Sequence, residues 1–325
     1  MAGTVAAGLL IGAAFGALAT RGKVCFNAAL RRAAFEHETV LRVFAIAVAA
    51  QLILLAPLSL VGVSLAPVGV FAAAQIAGGL VFGAGMALAG GCIAGILWKT
   101  GAGSIATAVA IAGFAAGELL IRGPAAPALV ALDRASRGGG PADTLDAALG
   151  LPYAPLAAAL GVLGLLVLLV RRRDGLVLGL ALGVVSAIAW VAADLTGAGY
   201  GLGFTGTAAN VRVVVAAGEP SLLGWSVFLA VGVLAGAAVV ARGPVRRPDG
   251  ARLMRALAGG VLMGVGATMA RGCNIGLGLA GLPTLSLGSA LAVACMALAS
   301  LAVRRLLLET RPALRGIERP EPAGW

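Results

Sequence analysis

The stretch Gly78-Gly79-Leu80-Val81-Phe82-Gly83-Ala84-Gly85-Met86-Ala87-Leu88-Ala89-Gly90-Gly91-Cys92-Ile93-Ala94-Gly95 has a second copy 181 residues further on. That copy reads Gly259-Gly260-Val261-Leu262-Met263-Gly264-Val265-Gly266-Ala267-Thr268-Met269-Ala270-Arg271-Gly272-Cys273-Asn274-Ile275-Gly276. Eight positions are identical in register, the cysteine among them, which is more than a glycine-rich composition makes by chance. Each copy is apolar and studded with glycine at the spacings that let transmembrane helices approach closely. Each then breaks at a glycine pair or Arg-Gly just before its cysteine. A weaker echo pairs Gly8, Gly12 and Gly16 with Gly175, Gly179 and Gly183.

Composition puts this duplicated module in a bilayer. Of 325 residues, 60% are hydrophobic and 11% charged, with a mean hydropathy of +1.03. A soluble domain is nearer half apolar and a quarter charged. The sequence predicts an all-α membrane protein with about nine spans, at 3–20, 40–62, 70–90, 104–121, 153–171, 175–193, 222–242, 252–270 and 285–306. Each is close to the ~20 residues that cross the hydrocarbon. Four shorter pieces, at 22–34, 92–99, 201–216 and 273–282, are expected as re-entrant helices. Residues 122–152 are expected to form a surface loop.

The net charge of +11 does not point to nucleic acid. Aromatic residues are only 5% of the chain, too few for a stacking platform. The basic residues instead cluster at span ends: Arg21, Lys23, Arg31 and Arg32; Arg171 to Arg173; Arg242, Arg246 and Arg247; and Arg304 onward. Alternating the loops across the membrane puts 19 of the 24 Lys and Arg on one side. The positive-inside rule then sets the N-terminus outside, in the periplasm if the membrane is a bacterial inner membrane, and the C-terminus in the cytoplasm. The first segment lacks a basic stretch before its apolar run, so it is read as a span and not as a cleaved leader. Equivalent spans lie an odd number of crossings apart, so the two halves are expected to be inverted, as in many transporters. The organisation is read as a first inverted repeat over 1–121, a periplasmic loop plus linking helix over 122–174, a second repeat over 175–308, and a flexible tail over 309–325.

The chemistry available is narrow. His37 is the only histidine and lies in a polar stretch, so histidine catalysis and His-ligated metal sites are close to excluded. No Cys/His cluster exists for a metal and no cofactor is expected. The Gly91-Cys92 and Gly272-Cys273 breaks each precede a short helix. Its first N–H groups and dipole suit an anion. Cys25 opens another short segment, and its only likely counterpart in the second half is Gly203. A lone membrane cysteine is most often a small buried hydrophobe, and Cys295 is read that way. For Cys92 and Cys273, repetition at the same turn favours a site. Asn274 is a polar neighbour of Cys273, and Arg271 is placed to attract an anion from outside. Gln75 lies near a break but is the weaker candidate. Glu118, with Arg122 four residues on, and Asp194 both read as acids at span ends, where charges are cheap.

The segments Arg21-x3-Cys25-Phe26-x2-Ala29, Gly-x-Gly-x3-Ala-Gly-Gly-Cys92 and Gly-x-Gly-x3-Ala-x-Gly-Cys273-Asn274 resemble the YeeE/YedE family of bacterial sulfur-compound transporters over nearly the whole chain. The resemblance implies an hourglass-shaped helical protein that takes up thiosulfate, with three cysteines along the path that match Cys25, Cys92 and Cys273; other relatives are assigned to different sulfur or selenium species. The expected partners are thiosulfate or a related sulfur anion, the lipid bilayer and, by family analogy, a small cytoplasmic sulfur-carrier protein. Thiosulfate has hard oxygens at one end and a soft sulfur at the other, suited to helix-start N–H groups and to neutral thiols respectively. The sequence therefore predicts a non-enzymatic importer with a constriction at Cys92 and Cys273 and an exit past Cys25. The alternative is a membrane sulfurtransferase or sensor subunit that holds sulfane sulfur or a selenium species on a reactive cysteine.

Overall fold

The computed structural model describes residues 2–35, 39–136, 143–171, 174–241, 243–245 and 248–309. His37, Arg137, the glycine run Gly138 to Gly140, Arg172, Arg173, Arg242, Arg246, Arg247 and the tail beyond 309 lie outside them, as do the side chains of Arg31, Arg32 and Arg171.

Helices occur at every expected span and no strand occurs among the described residues. In chain order they are α1 (Ala2–Arg21), α2 (Phe26–Phe35), α3 (Thr39–Leu60), α4 (Ala72–Ala89), α5 (Ile93–Gly101), α6 (Ile105–Arg122) and α7 (Ala126–Ser136). There follow α8 (Leu145–Leu149), α9 (Tyr153–Arg171), α10 (Leu176–Thr196), α11 (Thr207–Ala217), α12 (Trp225–Val240), α13 (Gly250–Met269) and α14 (Leu287–Val303). Among the described residues seven stretches are long and apolar enough to cross a membrane, with α1 and α4 each read together with the short helix after it. At 16 residues α12 is shorter than its expected span, because a 3-10 turn at Pro220–Leu222 and an extended Gly224 precede it. α13 begins with Arg252 and Arg255, which dilute its apolar character. Side chains such as Val162, Leu163, Val170, Val177 and Val239 stand exposed on the outside, a surface that only lipid covers without cost.

The repeat glycines do two jobs on two faces. Gly78 and Gly85, seven residues apart, lie against α13, and Gly259 and Gly266 answer them from that side. A Cβ on Gly85 would sit 2.6 Å from the Gly259 carbonyl oxygen, and one on Gly259 would sit 2.7 Å from that of Gly85. Gly79 and Gly83 face the other way, onto Ala292 and Met296 of α14. Their equivalents Gly260 and Gly264 lie on Ala110 and Phe114 of α6. The packing is therefore reciprocal: α4 holds α14 as α13 holds α6, and α1 lies against α12 as α10 lies against α3. Small residues at these crossings let backbones touch and gain dispersion energy where the hydrophobic effect is absent.

The connection 122–152 departs from the expected open loop. It contains α7 and α8, since Ala126–Ser136 is rich in alanine and leucine and helix is its local preference. Ser136 accepts a hydrogen bond from Ala74 N at 3.1 Å, and Asp143 from Val70 N at 2.8 Å, so the segment is tied over the start of α4.

Candidate functional site

Three of the four short helices begin on a cysteine. Ala29 N donates to Cys25 O at 2.9 Å, Ile96 N to Cys92 O at 2.8 Å, and Leu277 N to Cys273 O at 2.8 Å. In two of them the thiol also acts as a side-chain cap: Cys92 Sγ accepts from Gly95 N at 3.4 Å, and Cys273 Sγ accepts from Gly276 N at 3.3 Å. Sulfur here takes the place that serine or threonine oxygen holds at most helix starts. All three thiols are buried and free of disulfides. The fourth short helix, α11, begins on Gly206.

The chain reaches each cysteine through a tight turn. After α4, Gly90 adopts the left-handed conformation at φ +71°, open to glycine without cost. The equivalent residue after α13 is Arg271, which holds φ +62° despite its side chain. That conformation costs roughly 1–2 kcal/mol for a residue with a Cβ. Gly91 and Gly272 then pass beneath Ile96 and Leu277; an added Cβ would sit 3.2 Å from Ile96 Cγ2 and 2.7 Å from Leu277 Cδ2, so those side chains would have to give way. The turn before Cys25 is held from α5, as Trp98 Nε1 donates to Val24 O at 2.9 Å.

The fold brings together two of the three cysteines. Cys25 Sγ lies 3.7 Å from Cys92 Sγ, near enough for one thiol to donate to the other. Gly95 keeps room for them: a Cβ there would sit 2.5 Å from Cys25 Sγ and 3.5 Å from Cys92 Sγ. Cys273 stands in its own nest. Beside it Gly276 faces Gly203, and the Tyr200 hydroxyl donates to Gly276 O at 2.7 Å. Gly203 thus occupies beside Gly276 the position that Cys25 holds beside Gly95, while Gly206 takes over the helix start. The helix after Cys273 widens into a π-helical segment, Gly276–Gly281. Gln51 Nε2 donates to Leu279 O within it at 2.6 Å. Such bulges recur at functional sites.

Asn274 is 1% exposed, and neither its Nδ2 nor its Oδ1 has a hydrogen-bond partner among the described residues. A buried amide left open in this way is costly unless something else satisfies it. Arg271 is engaged: its Nη2 meets Asp133 Oδ2 at 2.7 Å, and its guanidinium stacks 3.6 Å from the Phe71 ring centroid. Gln75 caps α4, accepting from Phe71 N and donating to Gly69 O, so it belongs to the scaffold. Cys295 packs on Gly79 in the α4–α14 contact, away from the helix breaks. Asp194 accepts from Ser64 N at an exposed position. Glu118 is not the surface acid its spacing suggests. It is fully buried, because α11 folds across it, and only Arg122 reaches solvent.

The sequence profile of the Sulphur transport family matches residues 21–302. The chain belongs to that family. The resemblance read from the three cysteine motifs therefore holds, and a multi-pass membrane protein of a family named for transport is what the apolar helices describe. Two relatives carry the name thiosulfate transporter TsuA. The one from Escherichia coli (strain K12) is 29% identical over 308 residues, 85% of this chain and 86% of the relative. The one from Spirochaeta thermophila is 31% identical over 312 residues, 88% of this chain and 93% of the relative.

Proposed function

We propose that this protein takes up thiosulfate, or a closely related sulfur anion, across the bacterial inner membrane through a constriction lined by Cys25, Cys92 and Cys273. The observation that carries this is the shared setting of the three thiols, each buried at the start of a short helix. A helix start presents N–H groups that no intrahelical carbonyl satisfies, and these suit the anion's oxygens. The thiols suit its terminal sulfur, provided they stay neutral, since a thiolate would repel a dianion. Each S–H contact is weak, so the ion is held and still released, as conduction requires. The open amide of Asn274 adds donors beside Cys273. Gly91 and Gly272 let the anion approach the backbone at the breaks. At the outer end Arg271 draws the anion in, in competition with Asp133.

We read residues 1–121 and 175–308 as inverted repeats joined by the segment 122–174, and the reciprocal packing supports this. With the N-terminus periplasmic and the C-terminus cytoplasmic, the anion passes Cys273 from outside, reaches the Cys25–Cys92 pair and leaves toward the cytoplasm. A small sulfur-carrier protein there is the natural recipient. The test is uptake of labelled thiosulfate by Cys92→Ala and Cys273→Ala proteins present in the membrane at wild-type amount. Uptake should fall to background, and wild-type flux in the double variant would end the reading. Mass spectrometry of wild type after turnover separates transport from a sulfurtransferase, because a persulfide on one of these cysteines is required only by the latter.

A further inference from the structure

Glu118 has no part in the path just described, yet it is the one acidic side chain fully buried among the described residues. Its Oε2 accepts a hydrogen bond from Ala208 N at 3.2 Å, in the first turn of α11. Its Oε1 accepts none and faces Arg122 Nε at 3.4 Å. An ionisable group within the apolar part of a membrane protein is expensive and characteristically serves ion or proton movement.

A purely structural role would not need an acid. The packing that seats Ala110 and Phe114 on Gly260 and Gly264 in one half seats Ala292 and Met296 on Gly79 and Gly83 in the other. By that register Ser300 of α14 is the equivalent of Glu118. Ser300 tethers α2 with a neutral hydrogen bond, donating to Asn27 Oδ1 at 3.0 Å. The same mechanical task is thus done without charge by Ser300 of α14 on α2, and by the carboxyl of Glu118 of α6 on α11. The acid also lies close to the anion path. The loop 203–206 leads from Gly203, which faces the Gly276 that borders Cys273, past Thr205, whose hydroxyl has no partner among the described residues, to Gly206 next to Glu118.

We propose that Glu118 binds the proton that accompanies the anion, so that uptake is proton-coupled; this rests on the anion-transport reading above. An anion moving toward a negative interior works against the membrane potential, and each proton carried with it cancels one charge. The carboxylate takes a proton from hydronium on the outer side, in exchange for its ion pair with Arg122, and yields it to water on the inner side. Among the described residues the charged groups that face Glu118 are few. Arg122 is on its own helix, Arg212 of α11 lies against the Gly123 turn, and α7 carries Arg134 and Asp133, the latter already paired with Arg271. α13 presents only Val261, Gly264 and Val265 where it crosses, and α5 has only Lys99, which donates to Gly90 O at the other break.

The experiment uses the full chain in proteoliposomes with the membrane potential clamped at zero and labelled thiosulfate outside. For one proton per anion, an inward gradient of one pH unit should raise the steady-state accumulation ratio of wild type about tenfold. Glu118→Gln keeps an acceptor for Ala208 N but cannot carry the proton. It should lose that gradient-driven accumulation while thiosulfate exchange across the membrane persists. Accumulation that ignores the gradient in wild type, or that survives in E118Q, overturns the inference. So does loss of exchange together with accumulation in E118Q, which would make Glu118 part of the scaffold. A wild type that exchanges no thiosulfate at all would instead sink the function proposed above.

Discussion

Gly95 is where the thiol pair can be tested by a single methyl group. A Cβ added there would lie 2.5 Å from Cys25 Sγ, 3.3 Å from Cys25 Cβ and 3.5 Å from Cys92 Sγ. Carbon and its neighbours rest at about 3.5–4.0 Å, so Cys25 Sγ must retreat by roughly 1 Å. Cys25 can do so only by turning about its single side-chain torsion, which takes the thiol away from Cys92. Overpacking of this kind costs typically 1–3 kcal/mol. Replacing glycine by alanine inside a helix returns about 1 kcal/mol. The net loss for Gly95→Ala is therefore about 0–2 kcal/mol, small enough to leave a folded protein without its thiol contact. Gly276→Ala is the control across the repeat, because there the added methyl meets Cys273 Sγ and Gly203 Cα at 3.7 Å, an ordinary contact. In cells lacking other thiosulfate uptake, G95A should transport at less than a tenth of the wild-type rate, with its thermal unfolding in detergent lowered by a few degrees. G276A should unfold at the wild-type temperature. The double variant Cys25→Ala/Gly95→Ala should regain the lost stability and still not transport. Wild-type uptake by folded G95A would refute the view that the space between Cys25 and Cys92 lies on the path.

Arg271 makes a second test, since its backbone is unfavourable and its side chain is well paired. Arg271→Gly relieves the left-handed strain while Arg271→Ala keeps it, so thermal unfolding should rank the glycine variant the more stable by about 1 kcal/mol. Both should need more thiosulfate to reach half-maximal uptake if the guanidinium gathers the anion, whereas Asp133→Asn, which frees it, should need less. Gly236 lies on the α1 contact, where an added Cβ would be 2.7 Å from Ala13 Cα, so Gly236→Val should leave little folded protein in the membrane by gel filtration in detergent. Gln51→Leu removes the donor to Leu279 O inside the π-helical segment, a loss of about 1–3 kcal/mol that unfolding measurements would register.

Much of the architecture is written in local pattern. A run such as Thr39–Leu60 is apolar for long enough to name a span, and a break such as Gly90-Gly91 needs only glycine's freedom to be recognised. The connection 122–152 carries both kinds of signal. Its glycine run breaks regular structure, while the alanine and leucine of Ala126–Ser136 favour helix. Charges were harder. Glu118 with Arg122 four residues on has the spacing of a surface pair, and nothing local announces that α11 will cover the glutamate and leave the arginine outside. Arg271 was legible as a cation beside a site, but its stacking on Phe71 and its bond to Asp133 join residues from three separate segments.

The sequence alone determined that the chain lives in a bilayer, that its module is duplicated, and that three cysteines stand at helix breaks. These are consequences of short-range composition and spacing, which each segment carries within itself. Only the tertiary structure decided which thiols meet. Cys25 and Cys92 are 67 residues apart, and they touch because Trp98 holds the turn before Cys25 against α5 and Gly95 leaves the gap. Cys273 has the same cap and the same turn, but glycine stands where its partner thiol would be. A repeat in sequence gives both copies the same turn and the same thiol cap; what fills the space opposite each copy is set by packing between distant parts of the chain.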